Sequence, residues 1–331
     1  MAISAADVMK LRKMTSAGMM DCKKALEEAA GDFKKAMDII REKGKLVAAK
    51  RADRETSEGA VKARIEGGKG ILVCLGCETD FVSRNSDFQN LAEAIADVAI
   101  ANCPADIEAL KACKMADGYT VAEDVEAQTG KTGEKHVLAF YAIAEAPFVY
   151  SYIHKLNGKL GALVGFNKPV SEPLAKGVVM QVASMNPVSI SAETCPKEVL
   201  DNEYNVAVQK TKDELVQKAV DAALKKAGIN PAHCDSEDHI ESNTAKGWLT
   251  PEQAQQARDI IKTVSAEKAA SLNPAMVENI AKGRVQKFLK ENTLTEQEYQ
   301  MSDDKITVAQ AIAAEDKEAK VVVMKRFSLT D

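Results

Sequence analysis

The stretch that most narrows the possible folds is Ile71-Leu72-Val73-Cys74-Leu75, an unbroken apolar run that reads as a buried strand. It leads into Cys77-Glu78-Thr79-Asp80-Phe81-Val82-Ser83-Arg84, after which Phe88, Leu91, Ile95 and Val98 fall at helical spacing. A strand has to end before that helix can begin, so Asp80 and Phe81 are predicted in a short connection. A ring beside a carboxylate on a tethered loop suits a probe: the ring fills an apolar pocket while the charge presses on what lies next to it. The same ring can fold back into its own core, as most phenylalanines at loop edges do. Both readings stand on these residues alone.

With 331 residues the chain can bury a large core and divide into two or three domains. A net charge of −5 argues against a general nucleic-acid binder, which carries a broad basic surface. Aromatic residues make up only 5% and alanine is abundant, which favours helices over an all-β design. Seven cysteines at irregular spacings do not form a secreted disulfide framework. The N-terminus lacks an apolar signal core, and no 18 consecutive apolar residues occur. The expectation is a soluble, cytoplasmic protein without a membrane segment, a cofactor or a metal.

Residues 1–43 read as three short helices. Ser4 can cap the first, which buries Val8 and Leu11; Thr15-Ser16-Ala17-Gly18 breaks it. Met19-Met20 open the second, and Gly31-Asp32 end it and cap a third on Phe33, Ala36, Met37 and Ile40. So small a core suits a docking module, made basic by Lys10, Arg12, Lys13, Lys23 and Lys24. Met19 and Met20 are adjacent and cannot share one core stripe, so at least one is expected at the surface, where a soft thioether suits a partner.

Residues 45–57 read as a charged linker. A hairpin follows over 59–75, turning at Glu66-Gly67-Gly68-Lys69-Gly70. Helices are predicted near 106–115 and 121–129, then a turn at 130–134. Strands are predicted at 137–143, 148–154 and 160–166, with a hairpin turn at Leu156-Asn157-Gly158-Lys159. A helix at 172–184 precedes a change of character: 197–227 is a charge-rich helical pattern, about 45 Å long if continuous. A polar interruption at 233–239 and proline-started helices at 251–272 and 274–292 suggest a protruding antiparallel coiled coil. A helix at 305–315 and a strand at 320–327 close the chain.

Three chemical motifs fail on inspection. Cys74 and Cys77 form a C-x-x-C, but a spacing of three along a strand sends the side chains to opposite faces. Gly130-Lys131-Thr132 lacks the glycine five residues earlier that a phosphate cradle needs, since Val125 stands there. His233, Cys234 and His239 are metal-ligating types, but a flexible polar loop is a poor frame for a metal.

Four longer stretches do carry a pattern. They are the run from Leu11-Arg12-Lys13-Met14 through Met19-Met20-Asp21-Cys22-Lys23-Lys24-Ala25-Leu26, then Thr79-Asp80-Phe81-Val82 after a strand, Lys131-Thr132-Gly133-Glu134, and Gly283-Arg284-Val285-Gln286-Lys287-Phe288. In this order they resemble the elongation factor Ts family, nucleotide-exchange partners of elongation factor Tu. The resemblance covers most of 1–195 and 274–327. It implies an α+β protein with an N-terminal ubiquitin-associated-like three-helix module, a core of two α+β subdomains, and an inserted helical hairpin or coiled coil. The expected domains are 1–54, 55–146, 147–195 with 288–331, and the insertion 196–287.

By the same resemblance, Arg12, Met19 and Met20 dock on the partner. Thr79, Asp80, Phe81 and Val82 form the exchange wedge beside its magnesium and phosphate site, while Thr132, Gly133 and His154 make supporting contacts. Thr132 stands where the family often has an apolar residue. The segment around 213–273 looks longer than in compact members, and a homodimer through it is conceivable. The chain also ends soon after its closing strand, where some members continue into a further helix. Two other readings compete: a helical module for ubiquitin-like or nascent chains, which leaves the Thr-Asp-Phe-Val loop without a role, and an enzyme using Asp80 and Cys77, for which no neighbouring histidine offers a base.

Overall fold

The computed structural model describes residues 3–15, 17–155 and 158–330; Ser16 of the predicted break, Leu156 and Asn157 of the predicted turn, and Asp331 lie outside the described residues. The chain opens with helices α1 (Ala5–Thr15), α2 (Met19–Glu28) and α3 (Phe33–Lys50). Strands β1 (Glu58–Glu66) and β2 (Lys69–Cys77) follow, then a one-turn helix α4 (Asp80–Ser83) and α5 (Ser86–Asn102). Next come α6 (Ile107–Ala112), α7 (Val121–Thr132), β3 (Val137–Glu145), β4 (Phe148–Ile153), β5 (Leu160–Phe166) and α8 (Glu172–Met185). A helical stretch holds α9 (Lys197–Lys226), α10 (Glu237–Ala245), α11 (Pro251–Ala270) and α12 (Pro274–Asn292), and α13 (Val308–Glu315) with β6 (Val321–Ser328) ends the chain. The fold is mixed helix and sheet, with two antiparallel sheets ordered β1-β2-β3 and β4-β5-β6. No described helix is long and apolar enough to cross a membrane.

Contacts group Met1–Ile190 with Gln297–Asp331 in one compact unit and Ser191–Glu296 in another. The first unit is organised by β2, whose residues are buried on both faces. Because side chains alternate along a strand, Ile71, Val73, Leu75 and Cys77 join one core with Phe88, Ala92 and Ile95 of α5. Leu72 and Cys74 point the other way, into a second core with Val61, Ala144 and Leu163 of β5. The two cysteines of the C-x-x-C therefore sit in different cores. Phe140 of β3 and Phe327 of β6 stack at 4.5 Å.

The three N-terminal helices close on Val8, Leu11, Cys22, Ala25, Leu26 and Ala36. The Ser4 hydroxyl accepts from Asp7 N at 3.1 Å at the start of α1, and Asp32 caps α3 by accepting from Lys34 N and Lys35 N. The predicted linker begins later than expected, because α3 continues to Lys50. The reason is tertiary. Gly44 of α3 lies against Gly130 of α7, so close that a Cβ on Gly130 would stand 2.6 Å from Gly44 Cα. Arg41, one turn earlier, pairs with Asp117 at 2.8 Å and Asp124 at 2.9 Å, and its guanidinium lies 3.3 Å from the centre of the Tyr119 ring. A segment held this firmly stays helical despite its glycine.

Other boundaries move for local reasons. The predicted turn at 130–134 starts late, because α7 runs to Thr132 and ends on Gly133 in the left-handed region, φ 75°. The helix predicted from 305 begins at Val308, where Thr307 and Gln310 make a capping box, and Lys305 before it has φ 52°. In the second unit, α10 begins within the predicted polar interruption, capped by Ser236, and runs past it, anchored by buried Ile240. Cys234 is buried there with Val220, Leu224, Ile229 and Leu249. Helix α9 packs against both α11 and α12, and Glu214 of α9 binds Arg284 of α12 at 2.5 Å.

Candidate functional site

At the end of β2 the chain leaves the sheet and makes the single turn of α4, closed by Ser83 N–H to Thr79 O at 3.1 Å and Arg84 N–H to Asp80 O at 3.1 Å. A helix of four residues has no intrinsic stability, so side chains must hold it. Val82 packs on the core beside α5, Ser83 is buried, and Gln89 Nε2 donates to Ser83 O at 2.5 Å. Phe81 points the other way. At 84% exposure it is the most exposed large apolar side chain among the described residues. The folded-back reading is thereby excluded for this conformation. Asp80 is half-buried and lies 3.2 Å from exposed Arg84, a pairing that water weakens and that leaves the carboxylate available.

The turn is fastened from the opposite side of the subdomain. Glu134, just past the end of α7, takes two hydrogen bonds from Thr79: the hydroxyl donates at 2.7 Å and the backbone N–H at 3.1 Å. Glu78 beside it accepts from Lys135 N–H at 2.6 Å and from Arg51, the C-cap of α3, at 3.0 and 3.1 Å. Those donors, first the Lys135 N–H and then the Arg51 guanidinium, hold the Glu78 carboxyl below the usual carboxylate range. Lys135 Nζ reaches on to the carbonyls of Ala52 and Arg54. Sequence reasoning named Thr132 and Gly133 but passed over Glu134, Glu78 and Arg51. Glu134 stands in the same quoted stretch, and the glycine turn before it is the one local signal that could have drawn attention to it.

Thr132 and Gly133 shape that turn. The Thr132 hydroxyl donates to Gln128 O at 3.2 Å and accepts from Glu134 N at 3.1 Å, while the left-handed conformation of Gly133 reverses the chain so that Glu134 faces Thr79. Nothing lies within 4 Å of where a Cβ on Gly133 would stand, so its outer face is open. His154 follows β4, and its Nδ1 lies 2.8 Å from the Tyr152 hydroxyl. His154 and Asp80 line one groove of about 680 Å³ together with Glu58, Lys62, Lys155 and Lys159. Glu134 thus joins Thr79 to the Thr132–Gly133 turn, and the groove joins Asp80 to His154.

Arg12, Met19 and Met20 lie apart from it, on the three-helix module. All three are exposed, Met19 by 50% and Met20 by 64%. Met9 and Met14 add two further exposed thioethers to the same module. Cys77 is unsuited to attack. Its thiol donates to Thr79 O at 3.3 Å, and burial, reinforced by the Glu134 charge, pushes its pKa up to about 12. No three His, Cys, Asp or Glu side chains among the described residues gather as a metal site.

The family described as "Elongation factor TS" matches residues 78–331. Elongation factor Ts of Bacteroides fragilis is 54% identical over 329 residues, 99% of both chains. That of Bacteroides thetaiotaomicron is 52% identical over 329 residues, again 99% of both, and that of Porphyromonas gingivalis is 36% identical over the same span. On a full-length match of this strength, the chain belongs to the elongation factor Ts family.

Proposed function

We propose that this protein binds elongation factor Tu carrying GDP and speeds GDP release by inserting Phe81, with Asp80 beside it, next to the partner's magnesium and phosphate site. The observation that carries the reading is the 84% exposure of Phe81 on a turn where Val82 is partly buried, Ser83 is buried and Asp80 pairs with Arg84. An apolar ring held in water gains free energy only when something covers it. The three-helix module, with Arg12, Met19 and Met20, is the docking surface that brings the partner to it. In this reading Gly133, Thr132 and His154 make supporting contacts to the partner.

The physics of exchange is linkage. Tu-type GTPases hold GDP through a phosphate loop and a magnesium ion ligated by hydroxyl and carboxylate oxygens. A protein that stabilises the nucleotide-free form weakens nucleotide binding by the same coupling energy, and the nucleotide weakens the protein equally. A thousandfold faster release requires about 4 kcal/mol off the barrier. Burying Phe81 supplies about 2–3 kcal/mol, and the docking contacts supply the remainder.

The test is release of a fluorescent GDP analogue from elongation factor Tu with catalytic amounts of this protein. Wild type is expected to accelerate release, and the Asp80→Ala/Phe81→Ala variant to bind the partner yet accelerate it far less. Rapid release by both would remove the wedge from the mechanism. No release by either, with a competent partner, would return the three-helix module to recognition of other chains.

A further inference from the structure

We infer that Glu134 is a positioning residue for exchange: its carboxylate fixes the pitch of α4 and thereby aims Phe81. The inference rests on the wedge reading and adds the part that makes a wedge rigid. Thr79 occupies the N-cap of α4, where a threonine hydroxyl ordinarily accepts from a backbone N–H of the first turn. Here it makes no such bond. Its hydroxyl and its own N–H are both given to Glu134, 55 residues away in sequence. Hydrogen bonds to an ionised acceptor are roughly twice as strong as neutral ones, and two from one carboxylate define an orientation rather than a distance alone.

Without Glu134, the Thr79 hydroxyl is free to turn inward and cap α4 in the ordinary way. The wedge then keeps its helical turn but loses its attachment to the α7–β3 turn. Phe81, 84% exposed, is covered too little to replace that attachment, so its direction relaxes while docking through the three-helix module is unaffected. Glu78 does not substitute, because it holds Lys135 and Arg51 rather than Thr79. A group placed loosely enters its pocket less often, and a displacement near 1 Å is enough to lower a rate by about 100-fold.

The experiment measures GDP release at varied elongation factor Tu·GDP for the full-length wild type, Phe81→Ala, Glu134→Ala, Glu134→Gln and Thr79→Val. Glu134→Ala is expected to lower the maximal rate by about tenfold or more and leave the half-saturating concentration within about twofold. Glu134→Gln is expected to keep most of the rate, because an amide presents one acceptor and one donor and the threonine hydroxyl can take either role. Thr79→Val should lose part of the rate, and Thr79→Val/Glu134→Ala should be no worse than Glu134→Ala alone. Amide hydrogen exchange is expected to quicken at Thr79 in Glu134→Ala and not across the β1-β2-β3 sheet. If Glu134→Ala does not fold, Thr79→Val and Glu134→Gln carry the comparison. An undiminished maximal rate in Glu134→Ala, equal losses in Glu134→Ala and Glu134→Gln, or a change in half-saturation alone overturns the positioning role while Phe81→Ala remains slow. An undiminished rate in Phe81→Ala overturns the wedge reading and the clasp with it.

Discussion

Two exposed apolar surfaces of this protein are built in opposite ways. The three-helix module presents Met9, Met14, Met19 and Met20, unbranched side chains with several rotatable bonds on helices that share a small core. The α4 turn presents one ring, Phe81, on a backbone fastened by Glu134, Gln89 and buried Ser83. Methionines conform to whatever they meet, so they suit docking, where area and adaptability matter. A ring with two side-chain torsions on a fixed turn keeps its direction under load, which is what displacing a neighbour's groups requires. The contrast teaches that exposed hydrophobicity is not one property: how the backbone beneath it is held decides whether it conforms or keeps one direction.

The contrast breaks most directly at Phe81. Phe81→Ala is expected to slow stimulated GDP release by about 30- to 150-fold, from the 2–3 kcal/mol of ring burial, with a much smaller change in affinity for elongation factor Tu. Equal losses in release and in affinity would make the ring an adhesive contact like the methionines. The second largest effect is expected at the joint between the module and the core. Gly130→Val places a Cβ against Gly44 Cα and should destabilise the packing of α3 on α7 by about 1–3 kcal/mol, read as a lower denaturant midpoint. If only the α3 amides lose exchange protection, the module detaches alone; if β2 follows, the two surfaces share one cooperative unit.

Smaller effects sharpen the same comparison. Met19→Ala and Met20→Ala are each expected to weaken partner binding by about 1–2 kcal/mol while leaving the maximal release rate intact, checked by titration calorimetry beside the release assay. The smallest effect concerns the support beneath the clasp. His136 is buried against Phe88, with Nδ1 donating to Glu134 O at 2.9 Å and Nε2 left without a partner. Burial holds its pKa below the ordinary 6.5, against the opposing pull of the Glu134 carbonyl and the Glu134 and Glu78 charges. The folded protein therefore binds this proton less readily than the unfolded chain. The stabilisation is complete above pH 6.5 and is lost as pH falls through the folded value. Denaturant melts at stepped pH should show that slope in wild type and a flatter one in His136→Gln.

Much of this was legible before any coordinates. The alternation of β2 correctly separated Cys74 from Cys77, because the side-chain period of a strand is a property of the backbone alone. The adjacency of Met19 and Met20 required surface exposure of at least one, and both are exposed. Ser4 and Asp32 announced the starts of α1 and α3 through capping chemistry that needs only neighbouring residues. The end of α3 was not legible. Leu46, exposed on that helix, and the charges around it gave no sign that Gly44 would rest on Gly130. Nor did the polar letters of 233–239 reveal that a helix would begin among them, anchored by Ile240 just beyond.

The division follows the range of the forces. Periodicity, capping and turn chemistry act over a few residues, so the order of amino acids suffices to place strands, most helices and the short connection carrying Asp80 and Phe81. Whether Phe81 turned outward, and what braced it, depended on partners far along the chain: a carboxylate at 134 meeting an amide and a hydroxyl at 79, and an arginine at 51 meeting Glu78. Such pairs leave no spacing to read. They exist because β2 and β3 lie side by side in one sheet, which brings the ends of α3, α7 and β2 together, and only the folded chain makes that arrangement.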